Sequence, residues 1–314
     1  MSDAVRPLVP AASVERAAPF WTSRDGLSSL HHLDCFERMS ALADESVDCI
    51  WTDPPYLLSN DGTTCVAGKR VRVNKGEWDR SRGVAADHAF HRDWLAECRR
   101  ILRPAGTIWV SGTLHVYLSV GMAMQELGLR ILNDVVWEKP NPPPNLGCRC
   151  FTHSTELVLW ATKAQKGGKD RYTFNYDQMR AENHGKQMKN VWRFGAPPHD
   201  ERGAGRHPTQ KPLALVERCL RASTVGGDVV FDPFAGSGTT GVAALRLGRR
   251  FEGCEREPEY AALARRRLDA ADAAAVAAAA APDAAAAAAA TAAAPAARAD
   301  RFGPVSHHPR RRKS

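Results

Sequence analysis

No apolar run in this 314-residue chain is long enough to span a bilayer, which excludes an integral membrane protein. Residues 1–10 lack the basic start and apolar core of a secretory signal, so a cytoplasmic protein without a membrane partner is expected. Paired-cysteine spacing is also missing. The eight cysteines are scattered and read as reduced thiols, not as a disulfide framework. Cys148, Cys150 and His153 stand close together, but no second pair follows, so neither a zinc knuckle nor any other metal site is expected. There is no internal repeat. Acidic residues are the minority, 35 against 43 Lys and Arg, and the net charge of +8 favours a polyanionic partner.

What is present falls into three parts. Residues 1–19, rich in Ala and Pro, read as a flexible lead-in. Residues 270–314 are an alanine tract ending in Arg310-Arg311-Arg312-Lys313. It has no stripe of large apolar side chains with which to build a core, so its deletion is expected to leave activity intact. The body, 20–269, alternates strand and helix signals. Short apolar runs at 46–51, 107–111, 130–137, 156–161, 229–232 and 250–254 read as strands. Helical patterns cover 88–102, 116–127, 212–222, 239–247 and 258–268. That alternation predicts an α/β fold of three layers, with a mostly parallel sheet between helices. Two polar, basic stretches interrupt it, 57–83 and 138–206. The second holds twelve basic and seven acidic residues, so the body's positive excess is concentrated in these insertions.

Two motifs carry chemistry. Phe231-Asp232-Pro233-Phe234-Ala235-Gly236-Ser237-Gly238-Thr239-Thr240 follows an apolar strand and opens a helix. Its glycines permit a sharp bend and close ligand approach, and the helix start offers free N–H groups. Glu255 ends the next strand, 19 residues after Gly236, the spacing at which a carboxylate meets ribose hydroxyls. The loop lacks the Lys-Ser/Thr of a phosphate loop and the third glycine of the pyrophosphate pattern. A nucleoside without phosphates fits better, and S-adenosylmethionine is the common one; the plain alternative is a tight turn and a surface glutamate. The second motif is Asp53-Pro54-Pro55-Tyr56, at the end of its strand. Asp53 and the Pro54 carbonyl offer two adjacent acceptors for an exocyclic amine, and Tyr56 offers a face for an extruded base. The alternative is a proline turn with a capping aspartate.

At these residues the sequence resembles the β-class DNA amino-methyltransferases. They carry Asp-Pro-Pro-Tyr early and Phe-x-Gly-x-Gly late, as Asp53–Tyr56 and Phe234–Gly238 do here. His207-Pro-Thr209-Gln-Lys211-Pro and His32-Leu-Asp34-Cys35-Phe are further matches, and together they cover about residues 30 to 268. Asn141 to Arg149 looks like a subset of N6-adenine enzymes that modify asymmetric sites.

The resemblance implies a Rossmann-like fold in permuted order, catalytic motif first, with a seven-stranded sheet of six parallel strands and one reversed. It implies S-adenosylmethionine as cofactor, with Phe231 to Thr240 around its methionine part and Glu255 on its ribose. Asp34, Cys35, His207, Thr209 and Lys211 would line the same pocket. Asp53 and Pro54 would orient the target amine, Pro55 belongs to the same catalytic motif, and Tyr56 would stack on the base. Aspartate at position 53 favours adenine N6 over cytosine N4. The 138–206 stretch would be the target-recognition region and 57–83 a DNA-facing loop. Double-stranded DNA is the implied substrate, with a cognate restriction endonuclease and a homodimer as further partners. No Pro-Cys dipeptide is present, so the covalent route of cytosine-C5 enzymes is not expected. Arg149, Arg171, Arg193 and Arg206 are candidates for phosphate or base-edge contacts, and Trp78 for a duplex wedge or a packing role. The competing readings are methylation of cytosine N4, an RNA base or a protein glutamine, a catalytically silent DNA-binding module, and a nicotinamide oxidoreductase.

Overall fold

The computed structural model describes residues 18–59, 63–66, 69–72, 79–168, 171–205 and 207–280, with backbone alone at 63–66, 69–72 and 280. Trp78, Arg206, most of the lead-in and the tail beyond 280 lie outside the described residues.

Alternating side chains build the layers. In β3 (Val47–Thr52), Cys49 and Trp51 enter one core cluster while Val47 and Ile50 enter the other. β6 (Leu102–Gly112) divides Trp109 from Ile108 and Val110 in the same way, and β10 (Val229–Asp232) divides Val230 from Phe231. A sheet that is apolar on both faces must be covered on both. Helices α2 (Val84–Ile101) and α3 (Leu114–Glu126) bury Trp94, Leu95, Val116 and Val120 in one cluster. Helices α5 (Leu213–Ser223), α6 (Thr239–Arg246) and α7 (Pro258–Ala280) bury Leu215, Val242 and Leu268 in the other. Trp109 stacks on Trp160 at 4.7 Å and donates to Ser223 Oγ at 2.9 Å. Burying side chains of this size contributes about 1.5–3 kcal/mol each.

The remaining strands are β1 (Trp21–Thr22), β2 (Ser29–His31), β7 (Arg130–Glu138), β8 (Thr155–Thr162), β9 (Val191–Arg193) and β11 (Arg250–Cys254). The sheet order is β1-β2-β11-β10-β3-β6-β8-β7-β9. From β2 to β7 this is the expected seven-stranded sheet with one strand, β8, reversed. The short strands β1 and β9 extend its edges, so among the described residues the full sheet has nine strands. Two- and three-residue edge strands carry no periodic signal, which is why the sequence did not reveal them.

Three sequence expectations are corrected. The 138–206 stretch is not irregular throughout: besides the expected strand at 156–161, seen as β8 paired to both β6 and β7, it holds β9 and α4 (Tyr176–Glu182). The 57–83 stretch contains an antiparallel hairpin, β4 (Thr63–Val66) with β5 (Lys69–Arg72). The body does not end at 269. Helix α7 runs to Ala280, and Ala271 and Asp272 are buried. Trp21 Nε1 donates to Asp269 at 2.7 Å and Arg24 N to Asp272 at 3.2 Å. The sequence test asked for large apolar residues, whereas alanine buries by letting the helix approach closely. The chain divides into a compact unit at residues 1–275 and a second at 276–314, described only as helix through 280. Among the described residues no helix is long and apolar enough to cross a membrane.

Candidate active site

Strand β10 lies parallel beside β3, with Val230 opposite Cys49 and Phe231 opposite Ile50. Their C-terminal ends therefore open on the same edge of the sheet, where ligand crevices form in such folds. Asp53 follows β3, and Pro233 and the glycine bend follow β10. A buried bridge joins the two: Thr52 Oγ1 donates to Asp232 Oδ1 at 2.9 Å. Asp232 also accepts from Thr240 Oγ1 at 2.6 Å and Phe234 N at 3.0 Å. Its burial outweighs these donors and pushes the carboxyl up to about 7.

Asp53 sits in a charged network. Lys211 Nζ donates to Asp53 Oδ2, and Tyr56 Oη donates to Asp53 Oδ1 at 2.7 Å. Glu156 of β8 is a further partner of both, 3.3 Å from Tyr56 Oη and 3.6 Å from Lys211 Nζ. Lys139 Nζ closes the set on Glu156 Oε1 and lies 4.8 Å from the Trp137 ring centroid. Two carboxylates and two ammonium groups thus balance. Burial raises the Asp53 carboxyl despite Lys211. Burial opposes charge on Lys211, yet Asp53 and Glu156 hold its pKa above the ordinary value. Burial also opposes charge on Glu156, yet Lys211 and Lys139 hold it below the ordinary value.

Tyr56 departs from expectation. The residue is only 7% exposed and Lys211 Nζ lies 5.2 Å from its ring centroid, so it presents no open stacking face in this structure. The hydroxyl orients Asp53 instead. Burial, then Asp53 and Glu156, raises its pKa well above that of free tyrosine. Pro54 is buried and Pro55 half-buried. Leu57, next in the chain, has φ 55°, and Asp79 anchors it by accepting from Leu57 N and Ser59 Oγ, both at 2.7 Å.

The glycine bend has its own frame. Gly236 and Gly238 have φ 51° and 75°, and a Cβ on Gly238 would lie 3.0 Å from Ala264 of α7. Arg267 of α7 donates to Ser237 O, Ser237 Oγ and Thr239 Oγ1 at 2.7–2.9 Å. Ser237, Thr239, Thr240 and Asp232 are buried and hydrogen-bonded within the loop, and Phe231 is wholly buried core. Ala235 is buried too, which leaves Phe234 and Gly236 as the partly exposed positions. Phe234 packs against Trp94 at 5.6 Å and Phe90 at 6.3 Å. Glu255 accepts from Gly236 N and Glu257 N, each at 2.8 Å, and burial raises its pKa.

The remaining predicted residues surround this bend. His207 packs edge-on against Tyr260 at 4.3 Å, and its Nε2 would lie 3.3 Å from a Cβ on Gly236. Thr209 N donates to His207 Nδ1 at 3.3 Å, and Thr209 O accepts from Lys211 Nζ at 3.3 Å. Asp34 caps α1 (Cys35–Ser40) by accepting from Phe36 N at 2.9 Å. Cys35 is buried, and burial raises its thiol pKa. The site thus combines carboxylates at Asp34 and Glu255 with an aromatic wall of Phe36, Phe90 and Phe234, backed by the fully buried Trp94. Acceptors beside an aromatic wall fit a ribose and a purine ring, so the residues present fit S-adenosylmethionine.

Sequence reasoning missed Glu156, Lys139, Arg267 and Asp79. Glu156 left a faint signal, a lone charge heading the apolar run Leu157-Val-Leu-Trp-Ala161. The others gain meaning only from their partners.

A family model described as DNA methylase, N6_N4_Mtase, matches residues 47–266. The type II methyltransferase M2.DpnII of Streptococcus pneumoniae is 51% identical over 241 residues, 77% of this chain and 89% of the relative. M2.MboI of Moraxella bovis is 44% identical over 252 residues, 80% of this chain and 91% of the relative. The crystal structure of the M1.HpyAVI–SAM complex aligns with a TM-score of 0.57 at 28% identity, covering 76% of this chain and 98% of that one. PvuII DNA methyltransferase (cytosine-N4-specific) shares the fold, with a TM-score of 0.60 at 21% identity over 80% of this chain and 88% of that one. Fold and site together define an S-adenosylmethionine-dependent DNA methyltransferase. The chain belongs to the N6_N4_Mtase family of DNA methylases.

Proposed function

We propose that this chain methylates adenine N6 at a specific site in double-stranded DNA, as a type II modification enzyme. The observation that carries the reading is Asp53, an aspartate at the head of the proline motif. Tyr56 and Lys211 lock it one strand away from the glycine bend. The relatives M2.DpnII and M2.MboI, both named type II methyltransferases, support the same class.

S-adenosylmethionine supplies an electrophilic methyl group on a sulfonium. Phe234, Gly236, Glu255, Asp34 and the His207–Lys211 segment would hold it, with Asp232, Ser237, Thr239 and Thr240 keeping the bend in shape. Asp53, assisted by the Pro54 carbonyl and the rigid Pro55, accepts the hydrogens of the target amine. That draws the nitrogen's lone pair out of ring conjugation and aims it. Tyr56 and Lys211 fix the carboxylate for that task, and Glu156 shares Lys211 and is held by Lys139. Moving the adenine out of the stack costs a few kcal/mol. Phosphate contacts from the basic stretches at 57–83 and 138–206 offset that cost, and they make binding weaken with salt. Arg149, Arg171 and Arg193 are exposed, as such contacts require, and Arg193 also lies 3.8 Å from Glu138. A cytoplasmic location, a homodimer and a cognate endonuclease complete the reading.

Expression in a host free of DNA methylation, followed by modification-sensitive sequencing, tests it. The expected result is N6-methyladenine at one recurring sequence. N4-methylcytosine, or an unmodified genome, would overturn it.

A further inference from the structure

We propose that Phe151 is a wedge that enters the base stack of the DNA duplex and fills the space left by the extruded adenine. The proposal rests on the transferase reading above.

The loop from Pro140 to His153 rises directly from the charged network of the active site. Glu138 pairs with Thr155 across β7 and β8, and Lys139 N donates to Ser154 O at 2.8 Å. The two feet of the loop therefore adjoin Lys139 and Glu156, which meet beside Asp53. Pro140, Pro142, Pro143 and Pro144 stiffen the ascending arm. Asn145 ties the tip: its Nδ2 donates to Cys150 O and its Oδ1 accepts from Gly147 N, both at 2.9 Å. Phe151 projects from this tied loop with 96% of its surface exposed, more than any other large hydrophobic among the described residues. Leu146 on the same loop is 41% exposed.

Apolar side chains held out in water on a stiffened loop mark a surface meant to be covered. The loop's charge says by what. From Lys139 to Ser154 there is no acidic residue, and Arg149 stands exposed two positions from Phe151. A cation for the phosphates beside an apolar group for the base stack is the pairing by which proteins wedge a duplex.

The test uses the full chain and duplexes carrying the site identified by sequencing. One duplex is fully paired; the other has an abasic position opposite the target adenine, which is then already unpaired. Phe151→Ala is expected to lower kcat/KM about tenfold or more on the paired duplex and by less than about threefold on the unpaired one, because the wedge acts on extrusion. Phe151→Leu, which keeps an apolar wedge, restores most of the paired-duplex rate. Equal losses on both duplexes, an unchanged rate on the paired duplex, or a changed oligomeric state as the only effect would overturn the wedge. A parent protein that transfers no methyl group to either duplex would overturn the transferase reading and the wedge with it.

Discussion

At the scale of single residues, Asp53 carries the largest expected effect. Replacing it with alanine removes the acceptor that orients the amine. Turnover should fall by about a hundred- to a thousandfold, the usual cost of losing one preorganised electrostatic partner. Calorimetric binding of S-adenosylmethionine should stay near the parent value, because Asp53 is not among the residues that hold the cofactor. Glu156 should behave differently. Glu156→Gln takes from Lys139 the carboxylate it pairs with and leaves Lys211 with Asp53, so kcat should fall and Tm should drop together, by about 1–3 kcal/mol in stability. Asp232 controls a pH dependence. Its buried carboxyl titrates at about 7 in the folded chain. Between about pH 4 and 7 the folded state keeps a proton that the unfolded chain has released. Stability contributed by this group therefore falls as pH rises through that window and levels off above it. His91, pushed down to about 4 by burial, slopes the opposite way between about pH 4 and 6.5. Only the difference between parent and Asp232→Asn isolates the carboxylate. Urea unfolding from pH 5 to 8 should show the parent losing more stability than the variant.

At the scale of elements, the glycine bend is where geometry is least forgiving. Gly238 combines φ 75° with a would-be Cβ 3.0 Å from Ala264. Gly238→Ala must either strain the backbone, at about 1–3 kcal/mol, or push the bend off α7. Either way Phe234 and the Gly236 N–H that meets Glu255 move. Cofactor affinity should weaken at least tenfold by calorimetry while the far-ultraviolet circular dichroism stays unchanged. Arg267 belongs to the same element-level design, since its three hydrogen bonds pin Ser237 and Thr239 from a helix late in the chain. The Asp79 clamp at Leu57 serves the catalytic corner similarly, holding a left-handed backbone one residue past Tyr56.

At the scale of the whole molecule, the C-terminal boundary decides stability. A chain ending at 269 loses Ala271, buried against the core, and the Asp272 bond to Arg24. Its melting temperature should fall by about 3–6 °C, the scale expected for 1–2 kcal/mol in a body of this size. A chain ending at 280 should melt with the parent and methylate at the same rate. Equal melting of the two truncations would show that the first turns after Asp269 are idle.

The amino-acid sequence by itself determined the alternation of strands and helices, the order of the two motifs and the residues at their centres. Those are local facts: period-two apolar runs, prolines that stop a strand, glycines that permit a bend. Asp53, the glycine bend and Glu255 were all legible for that reason. The tertiary structure alone decided that Glu156 and Lys139 join Asp53, and that Arg267 braces the bend. It alone turned Tyr56 into a buried clamp on Asp53. Each of those depends on strands and helices far apart in the chain arriving side by side, and an ion pair has no signature until its partner is there. The short edge strands β1 and β9 escaped for the same reason, because pairing with a neighbour, not their own pattern, makes them strands.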